Sequence, residues 1–117
     1  MANPSSDEIA TFLREQYLLW NDQKRDELMA YFRRMAPNGF TIEYVGRPPQ
    51  DGEQAMEEMF AQYGGKCRTD LLQLLVNGNE AATYVDNRFV DTDVGMPSIE
   101  TYKFEDGRMQ IRYFHQA

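Results

Sequence analysis

The chain has 117 residues, 42% of them hydrophobic and 26% charged, with a net charge of −7. That composition is globular and excludes a disordered chain, and the length gives one domain, 1–117, with room for a real core but none for a second module. The negative field disfavours phosphate backbones and anionic lipid, so neither nucleic acid nor a membrane surface is an expected partner.

The first five residues, Met1-Ala2-Asn3-Pro4-Ser5, hold no basic region followed by an apolar run. No apolar stretch approaches the ~20 residues that span a bilayer. The expectation is a soluble, cytoplasmic protein without a signal peptide. Ser5-Ser6-Asp7-Glu8 fits a capping box, with Ser5 as the cap and Glu8 reaching back. Ile9, Phe12, Leu13, Gln16 and Trp20 follow at helical spacing, and Gln16 is the polar member of that stripe. Asn21 and Asp22 end this helix or cap the next. A second helix carries Leu28, Tyr31, Phe32 and Met35 on one face, and Pro37-Asn38-Gly39 stops it.

Phe40 to Val45 reads as a short strand, with Phe40, Ile42 and Tyr44 on one face and Thr41, Glu43 and Val45 on the other. Arg47-Pro48-Pro49-Gln50 cannot continue a central strand, because proline lacks the N–H donor. Asp51 caps a third helix with Met56, Met59, Phe60 and Tyr63 on one side, and Gly64-Gly65 ends it. Cys67 to Val76 is a strand, and Asn77-Gly78 turns it back into a long strand from Glu80 to Val90. Asp91 to Pro97 reads as a loop. Ser98 to Phe104 and Met109 to His115 are the last two strands, joined through Glu105-Asp106-Gly107-Arg108. Cys67 is the single cysteine, so no intrachain disulfide forms, which fits a reducing compartment. Three helices with one apolar stripe each must cover something, and a long antiparallel sheet with one wet face is the natural partner. Strands this long curl, and the expected fold is α+β: a cone-shaped, curved antiparallel sheet wrapped by three helices from the N-terminal half, enclosing a pocket.

The helix–Trp20-Asn21-Asp22–helix order, the strand ending Glu43-Tyr44-Val45-Gly46, Asp51-Gly52 opening a helix, and Glu105-Asp106-Gly107-Arg108 in the last hairpin resemble the nuclear transport factor 2-like (cystatin-like) superfamily. Within it, the chain is most similar to SnoaL-like polyketide cyclases and ketosteroid isomerases, from Ile9 to His115. That scaffold hosts isomerases, cyclases, dehydratases, epoxide hydrolases and non-catalytic binders. Ketosteroid isomerases use a carboxylate base, with a tyrosine and a protonated carboxylic acid as oxyanion donors. By resemblance the base position falls on Glu43, the acid position on Glu100 and the tyrosine position on Gln16. Glutamine donates a hydrogen bond but is a weaker proton source. Tyr17 is expected to point elsewhere on the helix.

The resemblance therefore implies a cofactor-independent isomerase or cyclase moving a proton next to a carbonyl of a hydrophobic small-molecule ligand. Glu43 would be the base, and Glu100, kept neutral, would stabilise the enolate. The expected pocket residues are Gln16, Trp20, Phe32, Met59, Tyr63, Asn87, Phe89, Tyr102 and Phe114. Two alternatives stand beside it: a non-catalytic ligand-binding or dimerisation module, and a dehydratase or epoxide-hydrolase-like enzyme using His115 with Asp86.

The residues themselves weigh on these assignments. Glu100 alternates with Tyr102 and Phe104, which puts it on an apolar side where its carboxyl must stay neutral or meet a donor. Plain alternation instead turns Glu43 outward. His115 is the only histidine and the natural proton carrier near neutral pH. With one histidine and one cysteine the spacing of a zinc site is absent, so no metal is expected. Asp86 and Arg88 share a strand face and read as a cross-strand ion pair on an outer face. Tyr84 and Val90 stand among charges on that face, which makes a homodimer the expected assembly.

Overall fold

Three helices, α1 (Ser6–Asn21), α2 (Arg25–Met35) and α3 (Gly52–Tyr63), pack on one face of a six-stranded sheet. The strands are β1 (Phe40–Tyr44), β2 (Gln50–Asp51), β3 (Cys67–Asn77), β4 (Glu80–Phe89), β5 (Gly95–Glu105) and β6 (Arg108–His115), in the spatial order β2-β1-β6-β5-β4-β3. This is a computed structural model, and it describes residues 2–115. The α+β cone expected from the chain is the observed architecture, with one correction. The sheet is mixed, because β1 runs parallel to β6, pairing Phe40 with Met109 and Tyr44 with Tyr113. β1 also pairs antiparallel with the two-residue β2 that follows it, and its parallel neighbour β6 lies at the far end of the chain. Among the described residues no helix is long and apolar enough to cross a membrane.

Local chemistry sets the element ends. Ser5 Oγ accepts from the Glu8 amide at 3.1 Å and Glu8 Oε1 accepts from the Ser5 amide at 3.0 Å, completing the capping box of α1. Asp51 accepts from the Gln54 amide and starts α3. Of the two roles open to Asn21 and Asp22, the structure has the first: Asn21 ends α1 and Asp22 is its C-cap, while Lys24 occupies the N-cap of α2 without a side-chain hydrogen bond. Asn21 is thereby released from capping. Its side chain instead donates to the Thr69 carbonyl and accepts from the Thr69 amide, both at 2.8 Å, riveting the end of α1 to β3. The β3–β4 ladder shifts register between Leu71 and Gln73, and a bulge of this kind sharpens the curl of a sheet. β5 begins at Gly95, three residues before the expected Ser98, so the preceding loop is shorter than the chain suggested.

The inner face of the sheet changes character along its strands. On β5 it runs Phe104, Tyr102, Glu100, Ser98, Met96; on β6, Met109, Ile111, Tyr113, His115; on β4, Ala81, Thr83, Val85, Asn87, Phe89. One end is solid. Phe12, Phe32, Phe40, Phe104, Met109 and Ile111 are almost wholly buried there, with Phe12 edge-on to both Phe32 and Phe104. The other end opens into a cavity under α3.

Gly52 locks α3 to β1. A β-carbon at this position would overlap the Phe40 ring and stand 2.6 Å from the Phe40 carbonyl oxygen, which is backbone and cannot rotate away. Gly52→Ala should therefore lower stability by about 1–3 kcal/mol, read as a shifted urea midpoint with an unchanged slope. An unaltered midpoint would show that the two elements are not held at this spacing.

Candidate functional site: a carboxyl at the floor of a cavity

The cavity has a volume of about 700 Å³, within the range of small-molecule sites. Glu100 stands at its floor, where the packed core gives way to open space, and is 8% exposed. Two hydroxyls converge on one of its oxygens. Tyr17 donates to Oε1 at 2.6 Å and Tyr102 donates to the same atom at 2.7 Å. Each tyrosine oxygen is in turn supported. The Gln16 amide nitrogen donates to Tyr102 at 3.0 Å, and Thr83 lies 2.8 Å from the Tyr17 oxygen, whose own proton is committed to Glu100. The hydrogen bonds thus run inward, from Gln16 through Tyr102 and from Thr83 through Tyr17, to a single acceptor.

Oε2 has no hydrogen-bond partner among the described residues, yet it is not sealed. Trp20 Nε1 is the one fully buried side-chain polar atom there that lacks a partner. Glu100 therefore presents Oε2 to the cavity. Directly across the β5–β6 ladder from it stands Tyr113, which also lines the cavity and has no hydrogen-bond partner for its hydroxyl among the described residues. A carboxyl oxygen and a phenol hydroxyl thus line the cavity from paired positions on β5 and β6.

Burial pushes the Glu100 carboxyl above its ordinary value, and the hydroxyls of Tyr17 and Tyr102 pull partly the other way. Desolvation wins because neutral hydroxyl donors recover only part of the hydration lost by a buried carboxylate. Burial first, and then the Glu100 charge, hold Tyr17, Tyr102 and Tyr113 well above the usual phenol value. All three stay protonated donors at neutral pH.

Gln16, Trp20, Phe32, Met59, Tyr63, Asn87 and Phe89 line the cavity as expected from the chain. Trp20 packs on Phe60 with ring centroids 4.7 Å apart. Asn87 is held by Thr69 at 2.9 Å and by Ser98 and the Met96 carbonyl, each at 3.0 Å, so its polar atoms are already engaged. Tyr102 lies behind Glu100 and orients it without itself lining the space.

Other expected site residues are placed differently. Glu43 does not line the cavity; it lies on the outer sheet face, where Arg112 reaches it at 3.2 Å from the paired position on β6. Strand alternation, which turned Glu43 outward, prevails over the alignment by resemblance. Phe114 also points outward, under the Arg112 guanidinium, because its neighbours Tyr113 and His115 take the inward positions. His115 lines the cavity near its mouth, 6.0 Å from the Tyr44 ring. Asp86 is on the opposite face, bound to Arg88 at 2.6 Å, so the His115–Asp86 pair does not form. Tyr17 was expected to point away and instead touches Glu100. Its place is readable after the fact, since Ile9, Leu13 and Tyr17 are spaced four apart. Cys67 lines the cavity, and burial pushes its thiol up, away from the reactive thiolate. Among the described residues no three His, Cys, Asp or Glu side chains are grouped to hold a metal ion.

Neither a family model nor a curated protein matches this sequence. Solved structures do match, and they show a nuclear transport factor 2-like fold. One is a nuclear transport factor 2-like protein of unknown function from Mesorhizobium loti, at a TM-score of 0.73 and 15% identity, covering 100% of this chain and 98% of that one. A protein assigned as a ketosteroid isomerase, from Kribbella flavida, matches at a TM-score of 0.74 and 16% identity over 95% of this chain and 79% of that one. An epoxide hydrolase of LEH-like type from M. tuberculosis matches at 0.69 and 12% identity, over 94% and 84%.

A carboxyl whose folded value lies above its unfolded value stabilises the fold fully below the ordinary glutamate range. That contribution is lost as pH rises from there through the folded value. Glu100→Gln has no such group, so its stability should fall less than wild type across that window, read by urea denaturation at a series of pH values. Tyr17→Phe removes a donor to the charged form and should move the Glu100 midpoint further up in a carboxyl carbon NMR titration. A Glu100 midpoint in the free glutamate range would remove the buried carboxyl from the site.

Proposed function

We propose that the protein is a cofactor-independent enzyme that transfers a proton at a carbon next to a carbonyl of an apolar small molecule, in the manner of an isomerase or cyclase. The observation that carries this reading is the single, cavity-facing Oε2 of Glu100 beside the unpaired hydroxyl of Tyr113. Glu100 is the base, a different role from the neutral donor assigned to it by resemblance. Its raised value brings it closer to the strength needed to accept a proton from carbon near neutral pH. Tyr17 and Tyr102 fix the carboxyl through Oε1 and leave the other oxygen to reach the substrate. Tyr113 donates to the substrate oxygen as negative charge develops there. Trp20, Phe32, Met59, Tyr63 and Phe89 hold the apolar body.

The test is hydrogen–deuterium exchange at the α-carbon of 2-tetralone, followed by NMR. Glu100→Gln should slow the enzyme-dependent exchange by about 100-fold or more, while Glu43→Gln leaves it at the wild-type rate. Exchange that persists in Glu100→Gln would end the catalytic reading. 2-Tetralone that still binds in that case would favour a ligand-binding module on the same cavity.

We also propose a homodimer through the outer sheet face. Tyr84, Ile99 and Phe114 occupy facing positions on β4, β5 and β6 and are 40%, 47% and 36% exposed. The row is flanked by the Asp86–Arg88 and Glu43–Arg112 pairs, a rim of both signs that a second copy can complement. Wild-type protein should sediment at twice the chain mass and Ile99→Glu at the chain mass. A wild-type monomer at high micromolar concentration would discard the dimer.

A further inference from the structure

The mouth of the cavity carries chemistry that proton transfer at the floor does not use. Arg47 is the only lysine or arginine lining the cavity among the described residues. Arg25, Arg33, Arg68, Arg88 and Arg112 each reach a carboxylate, whereas Arg47, like Arg14, Arg34 and Arg108 on other surfaces, has no ion pair or side-chain hydrogen bond with any described residue; of these four it alone lines the cavity. Its backbone is braced. The Arg47 amide donates to the Tyr44 carbonyl at 2.9 Å, closing a turn in which Gly46 takes φ +101°, and Pro48-Pro49 follow before Gln50 pairs back onto β1. An arginine on so constrained a turn displays its guanidinium at the rim with little backbone freedom left to lose on binding.

Charges around the rim decide what that guanidinium would meet. Glu58 on α3 also lines the mouth and is the only acid there among the described residues. Tyr44 feels both: burial first raises its hydroxyl, Glu58 adds to that and Arg47 opposes it. Gln50, Gln62 and His115 complete the polar rim, and all three can donate hydrogen bonds. Donors therefore outnumber the one acid. At the floor the order is reversed, since the phenol donors suit a neutral carbonyl and the Glu100 carboxyl would repel a second carboxylate. The net charge of −7 opposes an anion only at long range, and at physiological salt it is screened beyond about 8 Å, whereas a contact with Arg47 is not.

Taking the cavity as the ligand site of the proposed function, we infer that its substrate class is an amphipathic anion, with the apolar, carbonyl-bearing part toward Glu100 and Tyr113 and a carboxylate at the mouth on Arg47. A planar guanidinium meets a carboxylate through two parallel hydrogen bonds, which gives orientation as well as attraction. Arg47 is then a specificity residue that sets which end of the ligand enters first.

The only tryptophan, Trp20, lines the cavity and reports occupancy by its fluorescence. Three probes of one chain length, decanoate, decan-1-ol and decyltrimethylammonium, should be titrated into the full-length protein. Decanoate should bind about three- to tenfold more tightly than decan-1-ol, and the cation more weakly than either. Arg47→Gln should cancel the preference for decanoate and leave decan-1-ol unchanged. Arg47→Lys should keep part of it. Equal binding of acid and alcohol by wild type, tighter binding of the cation, or an unchanged preference in Arg47→Gln would each overturn the inference. The outcome separates from that of the proton-transfer reading. Glu100→Gln should retain the decanoate preference even if no exchange activity is found, and loss of the preference would leave the Glu100 exchange result standing.

Discussion

The arrangement depends on keeping one carboxyl out of bulk water. A buried carboxylate costs several kcal/mol, and each hydroxyl donor to it returns roughly 1.5–3 kcal/mol. Two donors to Oε1 make the burial tolerable without cancelling it, which is why the Glu100 carboxyl ends above and not below its ordinary value. The rest of the local structure follows from supplying those donors. Tyr102 comes from the same strand, two residues along and on the same face. Tyr17 must come from α1, which lies along β3 with its end fixed there by the paired hydrogen bonds between Asn21 and Thr69, so the tyrosine side chain reaches across to Thr83 on β4 and Glu100 on β5. Gln16, adjacent to Tyr17, then reaches the Tyr102 oxygen. A glutamine there borders the cavity but commits its amide to the Tyr102 oxygen, so it supports the network and is not itself a proton source.

Much of this was legible in the chain because it is local. The capping box at Ser5, the Asp51 cap, the Asn77-Gly78 turn and the alternation that buries Glu100 each depend on a few neighbouring residues. What was not legible is what the chain settles at long range. The parallel pairing of β1 with β6 joins segments about 70 residues apart, and nothing in Phe40–Tyr44 encodes the strand beside it. Glu43 and Phe114 show a different failure. Alternation alone would have placed both outside, since Ile42 and Tyr44 flank the first and Tyr113 and His115 the second. For Glu43, alignment by resemblance overrode a period-two signal that was correct, and for Phe114 its apolar character was put ahead of the same signal. Tyr17 shows the converse. A stripe drawn through Ile9, Phe12, Leu13, Gln16 and Trp20 held the first two members of the row Ile9, Leu13 and Tyr17 but left out the third, although an apolar helix face is wide enough to hold it.

The position of Glu100 along its strand matters as much as its face. Two residues nearer the core stands Tyr102, fully enclosed, and two residues nearer the mouth stands Ser98, held by Asn87. At the first position a carboxyl would have no route to a ligand. At the second it would join a polar network that is already satisfied, from Asn21 through Thr69 and Asn87 to Ser98. Only the intermediate position combines a dry surrounding with an open side, and the curl of the sheet is what creates it.

The proposed chemistry inherits a consequence from this geometry. A proton taken from carbon must be returned to carbon, and the floor of the cavity offers one group able to hold it. Tyr17, Tyr102 and Tyr113 are pushed too far above the usual phenol value to release a proton readily, and His115 stands toward the mouth. Glu100 would therefore perform both transfers through the same oxygen, Oε2, while Oε1 stays pinned by its two hydroxyls. Both transfers then occur on the ligand face turned toward β5, and the proton moves only as far as the carboxyl can swing about that pinned atom. A ligand anchored at its far end would hold two neighbouring carbons within that short arc, which is how a charge at the rim and an acid at the floor can serve one reaction.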